Sequence, residues 1–389
     1  MLTMTETASG AGVRTSEAGR DLVLLTWTGP SPARREADTA ERAYASLAAV
    51  LRERGCVPVQ ERVFGDLRAA AGLAIGRERA LGAAGLEWPV PPTVVECSPV
   101  GRDGLAGIHL LAARGEARPV VEGERAFGTL VESAGVRLLG LTDVGRRAAG
   151  RLAPGPAEDS AAALDAAEQL LAREGFSFRD VARTWFYLRD ILDWYGPFNA
   201  VRNAAFRRLG LMGANGDGKI PASTGIEGRN ARGGWCTLDL LALQAAPGGR
   251  LAMRRLASRR QNEATEYGSA FARAMEVELG DARYIFVSGT ASIDDHGATV
   301  HVGDFETQAR FTLEAVSTLL EGAGAGLGDV CQATAFLKNP CDGRAFERIV
   351  ERSGLEGAPL VTTVADVCRD DLLFEIDATA VVPLRGSRQ

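Results

Sequence analysis

Two acidic side chains share one face of the last predicted strand, and their spacing suits proton transfer. In LLFEIDATAVV, the two-residue period of a strand puts Glu375 and Asp377 on one face, with Phe374 and Ile376 on the other. The two carboxyl groups then lie ~6.5–7 Å apart. In a partly closed pocket, burial and the acidic neighbour would raise the pKa of Glu375, which suits a general acid near neutral pH. On spacing alone, a solvated or salt-bridged glutamate is the simpler interpretation.

Upstream side chains offer positive charge for binding carboxylates. Arginine suits this role because its planar guanidinium makes two parallel, charge-assisted hydrogen bonds. The candidates are Arg202, in YGPFNAVRNAAF, and Arg273, in GSAFARA. Tyr195 precedes Arg202 by seven residues and shares its helical face if Pro197 does not break the helix. Lys338, after ATAFL, is a further candidate; the alternative for each cation is an ordinary surface position.

The segment PASTGIEG predicts a tight polar loop. Ser223 and Thr224 offer hydroxyl groups, and Gly225 permits backbone angles that other residues avoid. Backbone N–H groups in such a loop can bind a carboxylate. A purely structural turn explains the same residues equally well.

The elements that would position these residues repeat along the chain. Residues 164–188 align without a gap to residues 313–337, and Gly175 matches Gly324. Each copy predicts an amphipathic helix, a glycine stop, a short turn and a half-buried strand. A fainter third copy begins near Ala43. The repeats predict an α+β fold in which helices cover one face of mixed β-sheets; chance recurrence of such units is the alternative.

Breaks in the pattern divide the chain. Residues 1–19 are rich in Thr, Ser, Gly and Glu and predict a flexible tail. Residues 246–260 are rich in Pro, Gly and Arg and predict a linker. We therefore expect an N-terminal domain over residues 20–250 and a C-terminal domain over residues 262–389.

Composition disfavours several classes of function. The formal net charge of -6 disfavours nucleic-acid binding. No segment approaches the ~18 apolar residues that span a bilayer. Nothing at the N-terminus predicts a signal peptide and the cysteines form no CxxC pair, so we expect a cytoplasmic protein without a membrane partner.

Metal and cofactor motifs are also missing from the sequence. His109, His296 and His301 form no metal-ligand pattern with cysteines or carboxylates. GANGDGK has the spacing of a phosphate loop, but Ile220 replaces the required Ser or Thr. We therefore expect no metal and no organic cofactor.

The C-terminal third contains segments in an order typical of a known family. From Tyr267 onward the chain contains YGSAFARAMEV, YIFVSGTASI, GDFETQARFTLEAVSTLLEGAGAGLGDVCQATAFLKNP and VADVCRDDLLFEIDATAVV. This part resembles the Rid family of small trimeric proteins. Rid enzymes that hydrolyse enamines and imines hold the substrate carboxylate with an arginine on the penultimate strand. The corresponding residue here is Leu360, which argues against imine deamination.

Upstream segments extend the resemblance over nearly the whole chain after the tail. TWFYLRDILDWYGPFNAVRNAAF, PASTGIEG and LDLLAL, followed by VSGTASI and ADVCR, together resemble chorismatases, whose N-terminal region is fused to a Rid-like domain. The resemblance implies Rid-like (chorismate mutase-like) units arranged as a pseudo-oligomer within one chain, and hence a monomer. It also implies that Glu375 protonates the enolpyruvyl group of chorismate, so that pyruvate leaves.

Two positions bear on the ring product. In the family, a cysteine at the place of Cys368 accompanies 3-hydroxybenzoate formation, whereas an alanine accompanies hydrolysis. The 3-hydroxybenzoate formers tend to have glycine where this chain has Ala291. We do not expect Cys368 to act as a covalent nucleophile, because no histidine lies near it in the sequence.

The sequence thus predicts a chorismatase that forms 3-hydroxybenzoate. Hydrolysis to 3,4-dihydroxycyclohexa-1,5-diene carboxylate and formation of 4-hydroxybenzoate are alternatives. A Rid-type imine deaminase and a non-catalytic binding protein are alternatives from other classes.

Overall fold

The computed structural model of the chain contains three units of the same design. The described residues are 2–6, 12–16, 21–28, 36–100, 104–133, 135–145, 154–212, 218–229, 233–258 and 260–384. Within them, three mixed β-sheets each carry two α-helices on one face. The described helices are all too short or too polar to cross a lipid bilayer.

The first unit has the strand order β1-β2-β3-β7-β4-β5. Its elements are β1 (Leu2–Glu6), β2 (Gly12–Ser16), β3 (Leu22–Thr28), α1 (Glu36–Arg54), β4 (Val57–Gly65), α2 (Ala70–Ala83), β5 (Thr93–Glu96), β6 (Ser98–Pro99) and β7 (Leu105–Ala113). The short strand β6 leaves this sheet and pairs with the third one.

The second unit has the order β8-β9-β10-β13-β11-β12. Its elements are β8 (Glu116–Glu122), β9 (Arg125–Glu132), β10 (Val136–Val144), α3 (Pro156–Arg173), β11 (Val181–Leu188), α4 (Ile191–Arg208), β12 (Ala222–Glu227) and β13 (Cys236–Ala245). Strands β11 and β12 are parallel, and α4 connects them.

The third unit has the order β14-β15-β16-β19-β17-β18-β6. Its elements are β14 (Leu251–Leu256), β15 (Ala274–Leu279), β16 (Ala282–Ala291), α5 (Phe305–Gly322), β17 (Val330–Leu337), α6 (Gly343–Ser353), β18 (Leu360–Val364) and β19 (Phe374–Pro383). Within each unit, the last strand therefore lies between the third and fourth strands.

The repeat predicted from the sequence is confirmed. Helix α3 with strand β11 and helix α5 with strand β17 occupy the two aligned segments. Gly175 and Gly324 follow those helices with positive φ angles of 76° and 72°, a conformation that glycine adopts without steric cost. The fainter copy is also present, as α1, Gly55 (φ 61°) and β4. The chain has the expected α+β fold of repeated units.

Each sheet packs against other elements on both of its faces. The outer face packs against the two helices of its own unit, and the inner face packs against the other two sheets in a shared central core. Near the centre, the ring of Phe64 on β4 lies 6.4 Å from the ring of Tyr187 on β11 and 6.4 Å from the ring of Phe336 on β17. The fourth strand of each unit supplies one of these rings, so the units are related by an approximate threefold arrangement.

Two predicted boundaries are wrong. Within residues 1–19, predicted as a flexible tail, β1 pairs with β2 and β2 with β3, while the rest of that stretch lies outside the described residues. Within residues 246–260, predicted as a linker, β14 pairs with β15. The Pro-Gly-Gly sequence marks only a turn, and LAMRRL alternates as an edge strand does. The third unit therefore begins before residue 262, and two units precede it along the chain.

Candidate active site

The candidate site lies where the third sheet meets the second. Strand β19 directs Phe374 and Ile376 outward into the core beneath α5 and α6, and Glu375 and Asp377 inward. This is the alternation that the sequence predicts. Glu375 is 4% exposed and Asp377 is 5% exposed, so both carboxyl groups are removed from bulk water.

Donors from the second unit hold Asp377. Its Oδ2 atom accepts hydrogen bonds from Arg183 Nη2 at 3.1 Å, Trp185 Nε1 at 3.1 Å and Thr224 Oγ1 at 2.8 Å. Thr224 Oγ1 in turn accepts a hydrogen bond from Arg183. Burial lowers the pKa of Arg183 to about 10, with Asp377 opposing the shift, so this guanidinium is charged at neutral pH. The carboxylate of Asp377 thus has a buried counter-ion.

The environment of Glu375 favours its protonated form. Burial, and then the neighbouring Asp377, raise the pKa of Glu375 to about 8, while Arg183 opposes the shift. A carboxyl group with such a pKa carries a proton at neutral pH and can donate it. This is the electrostatic requirement for a general acid.

Glu375 borders a small cavity of about 40 Å³ between β12, α4, β16 and the loop before β19. Seven of the predicted site residues line it: Tyr195, Arg202, Gly225, Arg273, Ala291, Cys368 and Glu375. Pockets that hold small ligands typically measure ~300–1,000 Å³. The cavity must therefore widen to admit a substrate.

Helix α4 brings Tyr195 and Arg202 to the cavity. The helix has one non-helical residue, Trp194 (φ -147°), and it is regular from there onward despite Pro197. Because Pro197 lies within the first turn after this kink, the hydrogen bond that it lacks is not required. The seven-residue spacing therefore keeps Tyr195 and Arg202 on one helical face, as predicted.

The two predicted arginines are almost fully buried. Arg202 is 1% exposed and donates hydrogen bonds to Asn199 Oδ1 at 2.6 Å and Ser223 Oγ at 3.5 Å. Arg273 is 3% exposed and donates through Nε (2.9 Å) and Nη2 (2.5 Å) to the carbonyl oxygen of Asn262. Phe271 lies within 5.6 Å of both guanidinium groups, measured from its ring centroid. The cavity therefore contains two buried cations beside the protonated acid.

Cys368 and the β16 bulge complete the surroundings of Glu375. Burial, and then the adjacent Glu375, raise the pKa of the Cys368 thiol to about 12, so the thiol is neutral and a poor nucleophile. In β16, the register with β19 shifts between Val287 and Thr290, which places Gly289 against Glu375. A Cβ atom on Gly289 would collide with the carboxyl oxygen Oε1 of Glu375.

One prediction about the site is wrong, and two of the predicted binding residues lie outside the cavity lining. PASTGIEG is mostly strand rather than loop, because residues 222–227 pair in parallel with β11. Thr224 contacts Asp377 and Arg183 and is not among the residues that line the cavity. Lys338 also lies outside the lining and instead donates hydrogen bonds to the carbonyl oxygen (2.7 Å) and the carboxylate (2.8 Å) of Asp370.

Sequence reasoning did not select Arg183 and Trp185. Both lie in VARTWFYL, a strand in which every residue is buried. An arginine within an otherwise apolar strand is a detectable signal, because a buried charge requires a partner. The partner Asp377 is distant in the sequence, so the pair could not be identified before the units were placed.

The other two junctions between units lack an acid at the position of Glu375. Phe336 of β17 pairs with Glu375, whereas Tyr187 of β11 pairs with Thr237 and Phe64 of β4 pairs with Gly107. Among these three equivalent positions, only the one between the second and third units has a carboxyl group.

Comparisons with known proteins place the chain among established relatives. Residues 269–382 match the family model described as endoribonuclease L-PSP. The 3-hydroxybenzoate synthase of Streptomyces hygroscopicus is 30% identical over 235 residues, which cover 54% of this chain and 65% of the relative. The chain thus spans less than two thirds of that relative.

Shorter relatives match a smaller part of the chain. The 3-aminoacrylate deaminase RutC of Acinetobacter baylyi is 32% identical over 99 residues, covering 25% of this chain and 79% of the relative. A RutC family protein of Pyrococcus horikoshii is also 32% identical over 99 residues, covering 78% of the relative.

A solved chorismatase structure has the same fold, with a TM-score of 0.61 and 21% sequence identity, covering 83% of this chain and 93% of the other. The match to 3-hydroxybenzoate synthase is longer than the third unit, so it extends into upstream sequence. The chain therefore belongs to the RutC (Rid) family through its C-terminal unit, is homologous to 3-hydroxybenzoate synthase beyond that unit, and has the fold of a chorismatase.

Proposed function

We propose that this protein is an enzyme that removes pyruvate from chorismate, with Glu375 as the proton donor. The observation that carries the proposal is a buried carboxyl group with a pKa raised to about 8, in a cavity that also contains Arg202 and Arg273. Chorismate is a dianion with an enol ether, so it needs cations for its carboxylates and an acid for its methylene carbon. The homology to 3-hydroxybenzoate synthase supports the same substrate.

In the proposed first step, Glu375 gives its proton to the methylene carbon of the enolpyruvyl group. The C–H bond forms as the C=C π bond breaks, and the ether oxygen stabilises the resulting oxocarbenium ion. Arg202 and Arg273 hold the carboxylates, because bidentate guanidinium groups fix both position and charge. Burial, and then the neighbouring Asp377, raise the pKa of Glu375 and so keep it protonated before the reaction.

In the proposed second step, the ring hydroxyl displaces the side chain internally, and pyruvate leaves. The ring oxygen forms a bond to the adjacent ring carbon as the ether C–O bond breaks, and the proton lost by that hydroxyl replaces the one that Glu375 gave. The resulting ring epoxide opens at its other C–O bond, and the ring C–H proton that leaves on aromatisation is balanced by protonation of the oxygen. One chorismate thus yields one pyruvate and one hydroxybenzoate without another reactant. Cys368 lines the cavity beside Glu375 and supports 3-hydroxybenzoate as the product. Capture by water would give 3,4-dihydroxycyclohexa-1,5-diene carboxylate instead.

The alternative of a Rid-type imine deaminase is disfavoured by one position. Leu360 begins β18, where Rid deaminases are expected to carry the carboxylate-binding arginine. An aliphatic side chain cannot replace the guanidinium. Ammonia release from a 2-imino acid at rates comparable to pyruvate release from chorismate would contradict this assignment.

The test is incubation with chorismate, followed by enzymatic assay of pyruvate and chromatographic identification of the ring product. Glu375→Gln keeps the shape of the side chain without the donor proton, so pyruvate release should fall by about 10²–10⁴-fold. Glu347→Gln, at an exposed position on α6, is the matched control and should retain wild-type activity. A wild-type rate in Glu375→Gln, or chorismate binding without pyruvate release by the wild type, would contradict the proposal.

A further inference from the structure

A second and larger cavity lies at the same junction between the second and third units. Its volume is about 470 Å³, within the ~300–1,000 Å³ typical of small-molecule sites. Its lining includes Lys219, which precedes β12, and Arg255, on β14. None of the residues assigned to the proposed reaction lines this cavity.

Among the described residues that line this larger cavity, positive charge is in excess. Arg179, Lys219 and Arg255 contribute three cations, and Glu263 contributes one carboxylate, which pairs with Arg255 at 2.7 Å. Arg179 Nη2 donates to the carbonyl oxygen of Gly210 at 2.8 Å, an interaction that leaves its charge uncompensated. In a chain with a net charge of -6, such a cluster suits an anionic ligand.

The rest of the lining is apolar. Val181 of β11, Met253 of β14 and Met275 of β15 face the same space. Methionine adapts its shape to a ring and contacts aromatic groups favourably. A ligand that fits this cavity therefore combines an apolar ring with a negatively charged group.

One segment of the chain contributes residues to the lining of both cavities. Residues 260–273, which we name the bridging segment, contribute Glu263 to the larger cavity and Ser269, Phe271 and Arg273 to the smaller one. Gly268, in the same segment, accepts a hydrogen bond from Asn203 Nδ2 of α4 at 2.7 Å. A ligand that competes with Glu263 for Arg255 would therefore act on the segment that carries Arg273.

We propose that the larger cavity is a second binding site for a small aromatic carboxylate, and that its occupancy alters the candidate active site through the bridging segment. The ligand class rests on the proposed function, because a hydroxybenzoate released by that reaction has the required ring and charge. The carboxylate meets Lys219 and Arg179 at the mouth, and the ring lies against the methionines.

Direct binding tests the site without any turnover. Isothermal titration calorimetry with 3-hydroxybenzoate should show a binding event that weakens about tenfold or more in Lys219→Ala and in Arg179→Ala, because each loses a charge-assisted hydrogen bond. Arg207→Ala removes an exposed positive charge elsewhere on the second unit and should bind as the wild type does. Arg202→Ala should lose binding at the candidate active site alone, so the binding event assigned to the larger cavity should remain. Acetate, which has the charge without the ring, should bind more weakly than 3-hydroxybenzoate.

The second site would be overturned if 3-hydroxybenzoate bound the wild type and Lys219→Ala with equal affinity. It would also be overturned if Arg202→Ala showed no binding event with 3-hydroxybenzoate. In activity assays, 3-hydroxybenzoate should change pyruvate release in a way that excess chorismate does not reverse and that Lys219→Ala abolishes. If chorismate yields no pyruvate, the proposed function fails, and calorimetry still decides whether the second site exists.

Discussion

At the scale of residues, Glu375 and Asp377 differ because only one of them has hydrogen-bond donors. Asp377 accepts three side-chain hydrogen bonds and faces a buried guanidinium. Within the described part of the chain, no hydrogen bond reaches the carboxyl group of Glu375. Donors stabilise an ionised carboxylate, whereas burial without donors favours the neutral acid. Two similar side chains two residues apart thus lie in different hydrogen-bonding environments.

Activity should decline as the pH rises through about 8, because Glu375 then loses the proton that it donates. Asp377→Asn removes the negative neighbour that raises this pKa, so the decline should move to lower pH. The measurement is kcat/KM for pyruvate release across pH 6–10 for both proteins, because kcat/KM reports the pKa values of the free enzyme. An unchanged alkaline limb in Asp377→Asn would show that Asp377 does not tune the acid.

Stability should also depend on the protonation of Glu375. The pKa is 4.5 in the unfolded chain and about 8 in the folded protein, so the folded state binds the extra proton between those values. The contribution of Glu375 is therefore fully present below pH 4.5 and is lost as the pH rises through about 8. Urea unfolding of the wild type and Glu375→Gln at several pH values measures this; parallel pH dependence in the two would contradict it.

At the scale of elements, alternation was enough to predict which face of β19 carries the acids, and helical spacing was enough to pair Tyr195 with Arg202. The repeat was visible because helix, glycine and strand recur in register. PASTGIEG was misassigned because its polar residues resemble a turn, and the parallel pairing that makes it a strand involves β11, across α4. Contacts between units, such as Arg183 with Asp377, leave no local pattern at all.

The bulge in β16 makes room for the acid, which gives Gly289 a steric role. Gly289→Ala would push a methyl group into the Glu375 carboxyl, so pyruvate release should fall by at least about tenfold, as misplacement of a reacting group does. Gly322→Ala, at the end of α5 where an added Cβ meets open space, is the matched control and should keep full activity. Equal activity in the two variants would exclude this role.

The buried ion pair connects the second and third units. Arg183→Met leaves Asp377 charged without a counter-ion, which typically costs about 3–5 kcal/mol of folding free energy. Adding Asp377→Leu removes the stranded charge and should restore part of that loss. Urea unfolding of the two variants and the wild type measures both effects; a double variant less stable than Arg183→Met would contradict this account.

At the scale of the whole molecule, one chain closes all three junctions between its units. Each inner sheet face is buried against the other two sheets in the described structure. We therefore predict a monomer in solution, because among the described residues no unit retains an unpaired inner face that another chain would cover. Multi-angle light scattering should give a mass near 41.1 kDa, and a stable trimer would contradict the prediction.

The cluster of Phe64, Tyr187 and Phe336 shows that three units joined in one chain can differ from one another at equivalent positions. In an assembly of identical subunits, a substitution at one junction appears at all three. Here each junction is formed by different stretches of one sequence. Gly107 and Thr237 can therefore occupy the two positions equivalent to Glu375 without changing Glu375 itself. Among these three equivalent positions, a carboxyl group is therefore present at one junction only.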